Sequence, residues 1–139
     1  MEEIKYTYHF SLFLNFKNDV DVDRLEKYFK IDAYKKTFLK DSKGPEKTAK
    51  IWYKTKEISD VYTDEAIERF IMQIYDNFAN LKQILKVNNG SACFTLYFTD
   101  VKERPVIGLT LKTIEMLEKL GLSFDVDFSE FDKLLNENV

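Results

Sequence analysis

The run Gly108-Leu-Thr-Leu-Lys-Thr-Ile-Glu-Met-Leu-Glu-Lys-Leu-Gly121-Leu-Ser-Phe-Asp-Val-Asp-Phe128 constrains the fold more than any other part of the chain. Thr110 is a hydroxyl N-cap, after which Leu111, Ile114, Leu117 and Leu120 recur at helical spacing as the expected buried face. Gly121 supplies the left-handed residue on which helices commonly end. Leu122, Phe124, Val126 and Phe128 then alternate with polar residues, the period of a strand with one apolar face. The segment reads as helix, glycine stop and strand.

The same two periods organise the rest. Tyr6, Tyr8, Phe10, Leu12, Leu14 and Phe16 alternate with Thr7, His9, Ser11, Phe13 and Asn15, which predicts a half-buried central strand. Asp21 caps a helix of about two turns with Val22, Leu25 and Phe29 inward. Weaker strands over residues 36–40 and 48–54 flank Asp41-Ser-Lys-Gly-Pro45 and are expected to pair as a hairpin. Thr63 caps one long helix of about six turns, with Ile67, Phe70, Ile71, Ile74, Phe78, Leu81 and Leu85 on one face, ended by Asn88-Asn89-Gly90. Ala92, Phe94, Leu96 and Phe98 form a second strong strand, and Pro105 marks the loop beyond. Ser129 opens a short closing helix carrying Phe131, Leu134 and Leu135.

The expected fold is therefore α+β: a single domain over residues 1–139, with a largely antiparallel or mixed β-sheet and helices packed on one face. The order of elements suggests a split βαβ-like core to which a helix and a strand are added. The chain also resembles the bacterial family designated domain of unknown function 4279. The resemblance is carried by residues 110–127, by Trp52 with Lys43-Gly44, by the opening strand 6–15 and by the first helix 22–31; it covers nearly the whole chain loosely. The first helix departs from the family pattern in lacking a proline just after it, which bears on the conformation of residues 32–36. The resemblance implies a compact bacterial domain with no assigned activity, so it transfers no catalytic residue.

Composition fits one ring-rich core. The chain has 139 residues, 45% hydrophobic, with twelve Phe and eight Tyr against four Gly and two Pro. No basic leader is followed by an apolar run, and no stretch approaches the roughly 20 apolar residues of a membrane helix, so the expectation is a cytoplasmic protein that does not enter a membrane. One cysteine, Cys93, and one histidine, His9, supply neither an internal disulfide nor a zinc site, and no cofactor is expected.

Each candidate for chemistry has a plainer reading beside it. Asp19, Asp21 and Asp23 have the spacing that opens a calcium loop, but Arg24 stands where glycine is needed and Lys30 where the bidentate glutamate belongs; a helix start enriched in acid explains them. Asp125 and Asp127 share one face of the last strand and are a candidate metal pair, with no third ligand marked. His9 with Ser11 has the groups of a base and a nucleophile, without an orienting acid or a nucleophile elbow. Cys93 reads as a small strand residue.

Charge distribution is the feature that suggests a partner. Residues 30–56 hold nine lysines against Asp32, Asp41 and Glu46, a local +6, which leaves −9 elsewhere to give the overall −3. Tyr34, Phe38, Trp52 and Tyr53 are interleaved with those lysines. Lys43, Lys47, Lys50, Trp52 and Lys54 are the candidate partner-binding residues. Three readings follow: a non-catalytic protein-interaction module of the immunity or adaptor kind, a nucleic-acid binder using the lysine-rich hairpin, and a metal-assisted hydrolase using Asp125 and Asp127. The first is favoured, because the segment contains none of the chain's three arginines and the whole protein is acidic, with pI near 5.3.

Overall fold

The alternation near the amino terminus becomes β1 (Tyr6–Phe16), with Tyr8, Phe10, Leu12, Leu14 and Phe16 buried. The computed structural model describes residues 6–60, 63–101 and 107–128. β2 (Lys35–Thr37), β3 (Ala49–Lys54), β4 (Ile58–Asp60), β5 (Gly90–Val101) and β6 (Ser123–Asp127) complete the sheet. The order is β2-β3-β1-β5-β6, with β4 pairing β1 beyond the end of β3. β1 is central, as expected. Every pairing is antiparallel except β5 with β6, so the sheet is mixed.

Among the described residues four α-helices accompany it: α1 (Val22–Phe29), α2 (Thr63–Tyr75), α3 (Leu81–Val87) and α4 (Leu111–Leu120). β2 runs parallel to β1 with β3 inserted between them, so β1-α1-β2 is a split βαβ unit. α4 makes the crossover that parallel neighbours require and adds β6 beside β5. The helices bury their apolar stripes in the same cluster as the inward side of the sheet, where Phe10, Phe70 and Phe94 lie with ring centroids 4.8–5.5 Å apart. The result is the single α+β domain expected from sequence.

Local chemistry fixes the helix ends. The Asp21 carboxylate accepts the Arg24 N–H at 3.2 Å, and Thr110 accepts that of Thr113 at 3.1 Å. Gly121, at φ 71°, takes the left-handed position that ends α4. Lys36 lies on the helix-facing side of β2 and binds Asp23 at 2.6 Å and Glu26 at 2.7 Å. Glu26 also accepts the Ala33 N–H at 2.7 Å, so residues 32–36 are held to α1 without a proline. The Lys36 hydrogen bond, followed by that from Ala33, holds the Glu26 carboxyl below the usual range.

Several boundaries differ from expectation. The strand expected over 36–40 ends at Thr37 and gives way to a 3-10 turn, Leu39–Asp41. Phe38 and Leu39 both pack against the core, which two consecutive strand residues cannot do from one side of a sheet. The hairpin pairing with β3 remains, but its connection is longer than the Gly-Pro turn alone. The six-turn helix is two helices separated by residues 76–80. There the Asn77 amide donates to the Phe29 carbonyl at 2.9 Å and the Asn80 amide to the Tyr28 hydroxyl at 2.8 Å. Asparagine competes well with helical hydrogen bonding, and the turn still leaves Phe78, Leu81 and Leu85 buried.

In α4 the buried face is Thr113, Leu117 and Leu120, whereas Leu111 and Ile114 are 72% and 50% exposed. The Thr110 hydroxyl donates to Glu68 on α2 at 2.8 Å, and Thr113, one turn on, is buried where Ile114 is not. The expected closing helix with Phe131, Leu134 and Leu135 lies outside the described residues, as does Pro105. No described helix is long and apolar enough to cross a membrane.

Candidate functional site

Because strand side chains alternate, burying Tyr8, Phe10, Leu12 and Leu14 under the helices sends His9, Ser11, Phe13 and Asn15 to the opposite face. Registration with the neighbouring strands builds rows there. One row reads Lys35, Trp52, Phe13, Cys93, Ser123 from β2 to β6. The next reads Lys54, Ser11, Thr95, Asp125, and a third includes His9, Tyr97 and Asp127. Among the described residues no helix packs on this face. It is cationic toward β2 and β3, anionic along β6, and ring-bearing between.

A cleft of about 910 Å³ opens in this face where β3 passes into β4. Between the pairs Ser11–Lys54 and Tyr8–Ile58, β1 has His9 and Phe10 while the other side has Thr55, Lys56 and Glu57. The extra residue makes a bulge, a device that bends a strand and re-aims its side chains. Thr55 secures it from both ends: its N–H donates to the Phe10 carbonyl, and its hydroxyl accepts the Phe10 N–H, each at 2.9 Å. Lys56 and Glu57 thereby border the cleft, at a volume within the roughly 300–1,000 Å³ common for ligand sites.

The walls are aromatic. Tyr34, held by its N–H to the Trp52 carbonyl at 2.7 Å, meets the Trp52 ring edge-on at 5.1 Å. The Lys54 ammonium lies 5.3 Å from the centre of the Tyr34 ring, within cation–π range. Opposite them His9 stacks on Tyr97 at 4.8 Å and 12°. Burial pushes the His9 pKa below its ordinary 6.5, and the Lys54 charge adds to that, against Glu57 and Asp127. The imidazole is therefore neutral near neutral pH. The cleft offers two cations, one carboxylate and several ring surfaces, which is chemistry suited to recognition.

Of the residues predicted from sequence, Trp52 and Lys54 line the cleft, and Lys50 lies on the same face of β3 beside Asn15. Lys43 and Lys47 are exposed in the loop before β3 and do not line the cleft. Asp125 and Asp127 do share one face of β6, where an Asp125 carboxylate oxygen accepts the Val126 N–H at 2.9 Å. Among the described residues no group of three or more His, Cys, Asp or Glu is placed to hold a metal ion. Asp21 and Asp23 are engaged as helix cap and ion-pair partner of Lys36. Sequence reasoning missed Tyr97, Lys56 and the bulge; the alternation of β5 puts Tyr97 opposite Phe98, but only the strand order brings it to His9. Comparison with protein-family models, curated proteins and solved structures finds no match.

Proposed function

We propose that the chain is a non-catalytic protein-interaction module, adaptor- or immunity-like, that acts in the cytoplasm and docks a protein partner on the open face of its sheet. The resemblance to the domain of unknown function 4279 family belongs to this reading and adds no activity to it. The observation that carries it is the charge layout of the face: lysines on β2 and β3, aspartates on β6, rings between them. A nucleic-acid backbone is uniformly negative and, laid across the strands, meets Asp125 and Asp127; a protein surface can present both signs. The half-buried Trp52 and Phe13 supply anchors of the type that dominate protein interfaces.

The test is capture of partners by tagged protein from lysate of the source cell, with and without nuclease treatment and along a salt gradient. A specific protein is retained, elutes with salt, and is lost by about tenfold or more with Trp52→Ala or Lys54→Glu. Retention of nucleic acid alone, or of a protein whose binding ignores both substitutions, contradicts the reading.

A further inference from the structure

We infer that the occupant of the open face is a second copy of this chain, stacked face to face about a two-fold axis parallel to the strands and midway between β1 and β5. The inference rests on the reading of this face as a protein-docking surface. Such an axis places each row of one copy over the same row of the other with the strand order reversed. β3 then lies over the partner's β6, and β1 over the partner's β5.

Two adjacent rows complement themselves under this operation, and in the third the His9 ring of each copy lies over the Tyr97 ring of the other. In Lys54, Ser11, Thr95, Asp125, the lysine of each copy meets the aspartate of the other, with the two small buried residues between them. Ser11 and Thr95 are only 1% and 7% exposed in the single chain, already covered by the larger side chains of the neighbouring rows, so the contact in this row is made by its two ends. In Lys35, Trp52, Phe13, Cys93, Ser123, the large Trp52 falls on Ser123 and the large Phe13 on Cys93. Charge and size therefore match in adjacent rows under one symmetry operation, the self-complementarity an isologous contact needs. Twisted sheets stack with strands within about 30° of one another, which keeps rows in register near the axis.

Four strands overlap under this operation, β2 falling outside it; at about 4.8 Å apart, with some six residues of about 3.4 Å each, they outline roughly 400 Å² per copy, so the pair covers about 800 Å². That is below the roughly 1,000 Å² of a stable specific interface, so the dimer is a weak one that depends on concentration and salt.

Sedimentation equilibrium of the full chain tests this with Lys54→Asp, Asp125→Lys and their mixture, folding being checked by circular dichroism. Each substitution alone sets like charges against each other in both symmetry-related pairs and weakens association about tenfold or more. Mixing the two single variants restores the dimer, because each then offers the charge the other lacks. A wild-type monomer at all attainable concentrations, or a dimer indifferent to both variants, overturns the proposal. Capture of a different protein, lost with Trp52→Ala, in the same preparation leaves the docking surface standing; absence of both overturns the two together.

Discussion

Of the four glycines, Gly90 has the least room. A Cβ built there meets the Phe16 ring at 2.7 Å and the Leu85 side chain at 2.9 Å, so the start of β5 passes between β1 and α3 without room for a methyl group. Gly90→Ala is expected to cost about 1–3 kcal/mol by overpacking, measured by urea denaturation; an unchanged midpoint would mean the neighbours yield freely. His9 carries a pH signature. Its folded-state pKa lies below the 6.5 of the unfolded chain, chiefly through burial, so the unfolded state takes up the proton first as pH falls. Stability from this residue is intact above 6.5 and is lost as pH falls from there toward the lowered folded value. His9→Gln should remove that part of the slope in a comparison of denaturation at successive pH values. Residue roles set by neighbours in sequence were legible: the caps Asp21 and Thr110 and the stop Gly121 are where their local patterns place them. Burial of Ser11 and Thr113 was not, because it depends on bulky or polar neighbours brought from other elements.

Among the elements, strands β1 and β5 and helix α1 follow their hydrophobic periods closely. The split between α2 and α3 does not break the period, since the turn keeps the apolar stripe inward; periodicity alone is blind to it. The signal was Asp76-Asn77-Phe78-Ala79-Asn80, in which both asparagine side chains bond to α1. Asn77→Ala removes the amide bond to Phe29 and should cost about 1 kcal/mol by thermal or chemical denaturation. The rotation of α4 is testable in the same way. Leu117→Ala, emptying a buried site, should cost about 2–5 kcal/mol, whereas Leu111→Ser and Ile114→Ser should each stay within about 0.5 kcal/mol. A large loss from Ile114→Ser would restore the face expected from leucine spacing.

For the whole molecule, the α+β class and the packing of the described helices on one side of the sheet follow from strands whose apolar residues are gathered on one face. Strand order was not legible, because a period of two says which face a residue occupies and not which strand lies beside it. The cleft depends on that order: His9, Trp52 and Tyr97 come from three strands far apart in sequence. Cys93 offers a built-in reporter on this face, seated between Phe13 and Ser123 and half-buried. The most direct measurement is the rate at which a maleimide labels Cys93 in the free, dilute protein and in its purified complex. Docking on the open face predicts labelling that is slowed severalfold in the complex and returns to the free rate with Lys54→Glu. A complex that forms with Cys93 labelled as fast as in the free protein would place the partner elsewhere and contradict the account.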